Sequence, residues 1–210
     1  KAHRCAMFTG RAISWPRSQP KRTMGSRESQ RYGEWIQERQ LSLRDLEPKV
    51  NPEQPPPQSQ ADLDHARLLS RLDEFGLAER TVEGDGNCQF RAISDQIYGH
   101  QSHHMLVRSQ CIEQLLLTPD RYQDYVIAES YDAYVQKMSM QGEWGDHVTL
   151  QALSDFHGVE IHLITSFQSD GLVRVLPREV GTHAGADGKG GQIMLSFWAE
   201  IHYQSICMRE

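Results

Sequence analysis

The pattern of hydrophobic and polar residues changes abruptly near residue 61. The segment 48–60 contains five of the nine prolines, which is typical of an extended linker and a domain boundary. Beyond it, apolar residues recur first at helical spacing and later at alternate positions. The pattern therefore predicts one folded domain over 61–210, preceded by a tail and linker over 1–60.

Helical spacing dominates the first half of this domain. A first helix is predicted by a stripe of apolar residues that ends at Gly76: Leu63, Leu68, Leu69, Leu72 and Phe75. The same spacing predicts further helices over 88–98, 102–117, 128–140 and 148–156. Asp146 is expected to cap the last of these helices, and Gly158 is expected to end it.

Strands are predicted mainly in the second half. Alternating apolar residues indicate strands over 160–165, 172–176, 193–198 and 201–206, and a short early strand is predicted over 80–83. The glycine-rich segment 181–191 lacks the spacing of a phosphate-binding loop, so we interpret it as a mobile insertion. Helices followed by an antiparallel sheet predict an α+β fold.

Residues 1–60 differ from the domain in composition. Residues 1–31 are rich in Arg and Ser, as transit peptides are, but Pro16 and Pro20 would interrupt an amphipathic helix. A disordered basic tail is therefore predicted, with a short helix over 32–46, and organelle targeting by 1–31 stays open. The prolines serve as a spacer or, alternatively, as a ligand for an SH3-type partner. Because the chain begins with Lys rather than Met, we expect a fragment or a processed chain.

Charge is unevenly distributed along the chain. Residues 1–60 carry 11 Lys and Arg against 6 Asp and Glu, whereas residues 61–210 carry 11 against 22. An acidic domain disfavours nucleic acid as a partner and suits a basic protein or peptide. The absence of any run of 18 apolar residues in the sequence disfavours a membrane span.

The four cysteines lie far apart and form no C-x-x-C pair: Cys5, Cys88, Cys111 and Cys207. This spacing argues against a disulfide framework or a zinc ribbon and favours a reducing compartment. We therefore expect the cytoplasm as the location, with the nucleus as an alternative. Cys111 falls on a helical stripe with Val107 and Leu115, which predicts a core position.

The densest group of functional residue types runs from Gly84 to Arg91. Cys88 follows a glycine turn at a predicted helix start, where free N–H groups and the helix dipole favour the thiolate and lower the pKa. The backbone N–H groups of Gly86, Asn87 and Cys88 are candidates for an oxyanion hole. A structural cysteine behind a tight turn is the alternative.

A cysteine nucleophile needs a base, and His202 in the last predicted strand is the candidate. Residues i and i+2 of a strand share a face, so the amide oxygen of Gln204 could accept a hydrogen bond from the ring Nδ1–H. The alternative is a histidine on the sheet surface. His100, His103 and His104 lack a plausible completing ligand, so no metal is expected there.

Three separated blocks of sequence carry a family resemblance. They are 85–92 (DGNCQFRA), 143–153 (EWGDHVTLQAL) and 195–203 (LSFWAEIHY). Their order and separation resemble the ovarian tumour (OTU) family of cysteine proteases, in particular its plant and algal branch. The resemblance covers about residues 65–207.

The resemblance implies a papain-like fold, with helices around a small, mostly antiparallel sheet. It also implies a deubiquitinase that hydrolyses the isopeptide bond after the C-terminal glycine of ubiquitin, with Cys88 as nucleophile and His202 as general base. Asp85 matches a member of the catalytic set, expected beside the imidazole and also as a support of the turn. Trp144 and Gly145 lie in the block that flanks the substrate cleft. The implied thiol chemistry requires neither a metal nor an organic cofactor.

One position departs from the family pattern, since Gln204 stands where Asn or Asp is usual. Two alternatives therefore accompany the deubiquitinase: a catalytically silent ubiquitin-binding module and a papain-like protease for another ubiquitin-like modifier. The expected partners are ubiquitin, polyubiquitin chains and ubiquitinated proteins, without nucleic acid or membrane. A monomer is expected.

Overall fold

A computed structural model describes residues 58–128, 130–178 and 191–209. The predictions for the tail, the 32–46 helix and the linker up to residue 57 lie outside these residues. The interpretation of the glycine-rich segment also lies outside them, apart from Gly191. The first helix begins at Gln58, so the last three residues assigned to the linker belong to a helix instead.

The helices match the apolar spacing with small shifts at their ends. Their bounds are α1 Gln58–Glu74, α2 Cys88–Tyr98, α3 His104–Leu117, α4 Tyr131–Ser139 and α5 His147–His157. Short 3₁₀ turns lie at Gln101–His103, Pro119–Arg121 and Gln123–Tyr125. None of the helices in the described ranges is long and apolar enough to cross a bilayer.

The predicted caps of α5 are confirmed. The Asp146 carboxylate accepts hydrogen bonds from the backbone N–H groups of Val148 (2.9 Å) and Thr149 (3.0 Å). The Thr149 hydroxyl oxygen in turn accepts one from the Asp146 N–H at 2.8 Å, which completes a capping box. Gly158 follows the helix in the left-handed conformation, with φ of 62°.

Five strands form one sheet. Their bounds are β1 Leu77–Arg80, β2 Glu160–Thr165, β3 Leu172–Val175, β4 Gln192–Trp198 and β5 His202–Met208. The order is β1-β5-β4-β2-β3, and only the β2–β4 pairing is parallel. The prediction of a small, mostly antiparallel sheet in an α+β fold is confirmed.

The early strand was predicted too late in the chain. It covers Leu77–Arg80 rather than 80–83, and its register on β5 ends where Arg80 faces Ser205. Beyond Arg80 the chain leaves the sheet ladder, and the backbone groups of Val82 bind side chains of β5 instead.

Helices cover both faces of the sheet. The larger core packs α2, α3, α4 and α5 on one face, against residues such as Ile161, Leu163 and Leu195. The smaller core packs α1 on the other face through Leu68, Leu72 and Phe75. Two residues of the predicted α1 stripe do not take part, since Leu63 and Leu69 are exposed. Leu68 and Leu72 are four residues apart on one face of α1, and Phe75, directly after the helix end, continues this spacing three residues later. Leu63 and Leu69 do not follow this spacing.

Candidate active site

The turn before α2 is organised by the side chain of Asp85. One carboxylate oxygen accepts a hydrogen bond from the backbone N–H of Asn87 at 3.0 Å, which is an Asx-type turn. The Arg91 guanidinium, one helical turn into α2, binds both oxygens, with its Nη2 2.6 Å from Oδ2. These Arg91 bonds, helped by Asn87 and opposed by partial burial, hold the pKa of Asp85 well below its usual range. Asp85 is therefore an ionised support of the turn.

This arrangement corrects two expectations. Asp85 was expected beside the imidazole of His202, but its oxygens are bound by Arg91 and Asn87, and the imidazole bonds elsewhere. The N–H of Asn87 was a candidate oxyanion donor, but it already donates to Asp85. Of the three candidate donors, the N–H groups of Gly86 and Cys88 are left.

We expect Asp85→Asn to lower the free energy of unfolding near neutral pH. A carboxylate with a depressed folded-state pKa stabilises the protein above its unfolded pKa of about 3.9, and this contribution is lost as pH falls further. Urea unfolding of both proteins between about pH 7 and pH 3 should show a difference that narrows below about pH 4. A difference that stays constant with pH would contradict the ion pair.

Asn87 links this turn to the segment 138–143. Its buried side-chain oxygen accepts hydrogen bonds from the N–H of Gly142 (3.0 Å) and from Arg108 Nη2 (2.7 Å). Arg108 also donates to the carbonyls of Met138 (2.8 Å) and Glu143 (2.7 Å). One buried guanidinium therefore fixes two loops relative to each other.

Arg108 was not among the residues predicted from the sequence, although the sequence carries a signal for it. It lies three residues before Cys111 and therefore on the buried face of α3, where a lone arginine needs polar partners. Its guanidinium stacks over the Phe90 ring, 3.9 Å from the centroid.

Close backbone packing joins the same two loops. Gly86 has φ of 78°, and a Cβ placed there would lie 2.0 Å from the carbonyl oxygen of Gly142. A Cβ at Gly145 would lie 2.2 Å from the side-chain oxygen of Gln89, whose Nε2 donates to the Asp146 carbonyl at 3.1 Å. The segment around Gly145 thus lies against the start of α2.

Trp144, the other residue predicted for the cleft, is 41% exposed next to this contact. Of the two predicted cleft residues, Gly145 therefore lies against the segment that carries Cys88.

Cys88 is the first residue of α2 and is only 7% exposed. Burial raises the pKa of its thiol, and the backbone N–H groups of Tyr203, Gln89 and Cys88 itself act in the opposite direction. The expected lowering of the pKa is therefore wrong, because desolvation of the thiolate outweighs the helix N-terminus. Burial thus favours the thiol form of Cys88, which lies against backbone donors.

Alkylation of Cys88 should accelerate as pH rises through the neutral range and beyond it. A thiol with a raised pKa gains thiolate about tenfold per pH unit in this range, and only the thiolate reacts. The rate with iodoacetamide, followed by mass spectrometry of the Cys88 peptide apart from the other cysteine peptides, measures this. A plateau below about pH 7 would show a preformed thiolate.

Cys111 provides the internal contrast. It lies on α3 with no exposed surface, and burial raises the pKa of its thiol strongly. The predicted core position is confirmed, and the residue is unsuited to nucleophilic attack.

His202 begins β5 next to Tyr203, the residue whose N–H faces the thiol. A Cβ on Gly84 would lie 3.8 Å from its ring Cε1, so the ring lies over the turn that precedes α2. The ring Nε2 lies 3.0 Å from the carbonyl oxygen of Val82. Because a carbonyl only accepts, Nε2 carries the proton, and Nδ1 of the neutral ring has a free lone pair.

Gln204 does not bind the ring, contrary to the expectation from strand geometry. Its side-chain oxygen accepts the N–H of Val82 at 2.6 Å. The bonded ring nitrogen of His202 is also Nε2 rather than Nδ1. Gln has one methylene more than Asn, and this length takes its amide to the neighbouring backbone.

The histidines of the α2–α3 connection form no metal site with other ligands. Within the described ranges, no group of three or more His, Cys, Asp or Glu side chains could hold a metal ion. His100 instead accepts the N–H of Ser102 through its ring Nδ1 at 3.0 Å.

Residues 83–205 match the family described as OTU-like cysteine protease. The chain belongs to this family. Curated OTU relatives from Arabidopsis thaliana include OVARIAN TUMOR DOMAIN-containing deubiquitinating enzyme 10, with 47% identity over 76% of this chain and 42% of the relative. Enzyme 12 of the same series is 44% identical over 70% of this chain and 63% of the relative. The plant-branch resemblance is thus confirmed, and the chain spans about two fifths to two thirds of these relatives' lengths.

A solved OTU domain supports the fold. The structure of the OTUD1 OTU domain superposes with a TM-score of 0.56 over 70% of this chain and 99% of that chain, at 22% identity. At this identity the likeness shows the fold alone.

Proposed function

We propose that this OTU protein is a thiol-dependent deubiquitinase that hydrolyses isopeptide bonds after the C-terminal glycine of ubiquitin. The observation that carries the proposal is the placement of Cys88 against the N–H of Tyr203, the residue that follows His202, together with a His202 ring that lies over the turn before α2 and bonds the Val82 carbonyl through Nε2. Relatives named deubiquitinating enzymes support ubiquitin as the substrate.

The reaction uses these two side chains in sequence. His202 Nδ1 takes the Cys88 thiol proton as Sγ attacks the glycine carbonyl, and the backbone N–H groups of Gly86 and Cys88 stabilise the oxyanion. The C–N bond then breaks, and the proton on His202 passes to the leaving lysine amine. Water attacks the thioester with His202 as base, which releases the ubiquitin carboxyl group and restores the thiol.

The raised pKa of the Cys88 thiol favours general-base catalysis over a preformed ion pair. In this mechanism the thiol ionises only as it attacks, when the backbone donors near Sγ can stabilise the charge. Asp85 acts at a distance, since it fixes the turn that presents Cys88.

A ubiquitin probe with a C-terminal propargylamide tests the proposal. We expect a covalent adduct on Cys88, detected by intact mass, together with cleavage of diubiquitin. Binding without an adduct would favour the silent module. An adduct only with probes built on other ubiquitin-like modifiers would favour a protease of different specificity.

A further inference from the structure

Val82 forms a backbone bridge between two side chains of β5. Its N–H donates to the Gln204 side-chain oxygen at 2.6 Å, and its carbonyl accepts from His202 Nε2 at 3.0 Å. Its own side chain is buried in the larger core. We define these three residues as the Val82 bridge.

The bridge exists because β1 ends early. The β1–β5 register stops at Arg80, so the backbone groups of Val82 lie beyond the strand ladder. Backbone N–H and C=O groups that are withdrawn from water need partners. Here the partners are His202 and Gln204, two residues apart on one face of β5.

We propose that Gln204 is a positioning residue that acts on His202 through the Val82 bridge. By binding the Val82 N–H, it holds the Val82 carbonyl where that carbonyl accepts the proton of His202 Nε2. The carbonyl thereby selects the ring tautomer with Nδ1 available as base. This inference rests on the proposed roles of Cys88 and His202.

The geometry favours this indirect action over a direct one. A glutamine amide bound to the ring would have to give up the 2.6 Å bond to Val82 and leave that N–H without its acceptor. A carbonyl oxygen bound to Nε2 permits one neutral tautomer, whereas an amide group could turn and present either its oxygen or its nitrogen. The bridge therefore specifies the tautomer more strictly.

Gln204→Leu is the test, because leucine has similar volume but no acceptor. We expect kcat for diubiquitin cleavage to fall about tenfold or more, with KM nearly unchanged. This loss should be smaller than the loss of rate caused by removing the general base itself. Gln204→Glu retains an acceptor for the Val82 N–H at the same chain length. It should restore most of the lost kcat.

Gln96→Leu is the matched control. The side-chain oxygen of Gln96 accepts the backbone N–H of Met194 at 3.2 Å, and its Nε2 donates to the Ile206 carbonyl at 2.8 Å. This variant also removes a glutamine contact to the sheet backbone, but it does not touch the Val82 bridge. We expect a comparable loss of thermal stability and a kcat close to that of the parent.

A measurement independent of activity follows the ring itself. In the resting parent, ¹⁵N NMR of His202 should show the Nε2–H tautomer, and Gln204→Leu should add the Nδ1–H tautomer. A single Nε2–H tautomer and parent kcat in Gln204→Leu would overturn the inference and leave the proposed function intact. If the parent cleaves no ubiquitin, the proposed function fails, while the tautomer comparison still decides the positioning role.

Discussion

Cys88→Ala is expected to reduce diubiquitin cleavage to the background of the assay while ubiquitin binding stays measurable. The substitution removes the atom that forms the thioester, and no other group of the site can replace it. The alanine side chain fits the space that the thiol occupied, so the fold should be kept. Steady-state cleavage and binding by calorimetry check both parts.

Cys111→Ala and Cys207→Ala serve as controls for this result. Cys111 lies in the core, so its truncation should cost about 1 kcal/mol of stability without loss of chemistry. Cys207 lies on β5 with intermediate exposure, and its alanine variant should cleave as the parent does. Cleavage by Cys88→Ala at the parent rate would remove the basis of the mechanism.

Gly86→Ala is expected to have the second largest effect. Alanine at φ of 78° costs about 1 to 2 kcal/mol. Its Cβ would also lie 2.0 Å from the Gly142 carbonyl oxygen, in a segment that Arg108 and Asn87 hold in place. Overlap of this kind adds about 1 to 3 kcal/mol or displaces the turn.

A displaced turn would misplace Cys88, which follows Gly86 by two residues. A shift of about 1 Å in a reacting group can cost about a hundredfold in rate, so we expect kcat to fall by about that factor. Urea unfolding and diubiquitin cleavage of the purified variant measure the two effects separately.

Gly76→Ala separates conformational strain from overlap. Gly76 has φ of 65°, but a Cβ there would meet nothing within 4 Å. This variant should lose only the conformational part, about 1 to 2 kcal/mol, and keep the parent kcat. If Gly86→Ala behaves like Gly76→Ala in both assays, the tight contact with Gly142 contributes neither to stability nor to the rate of cleavage.

Local sequence determined much of the molecule. The start of α2 at Cys88, the Asp146 cap and the end of α5 at Gly158 follow from residues a few positions apart. Such features depend on backbone preferences and short-range hydrogen bonds, which a pattern can indicate. The three family blocks likewise predicted the OTU membership.

Tertiary structure decided which polar groups of the candidate site bind each other. The partner of Gln204 is Val82, 122 residues away, and Arg108 meets Asn87 across 21 residues. The direction of the Cys88 pKa shift depends on burial against β5, which competes with a helix terminus that the sequence did indicate. Periodicity shows which face of an element is buried, but not which polar groups meet there. The contacts of Val82 depend on where β1 ends relative to β5, and packing of the whole sheet sets that point.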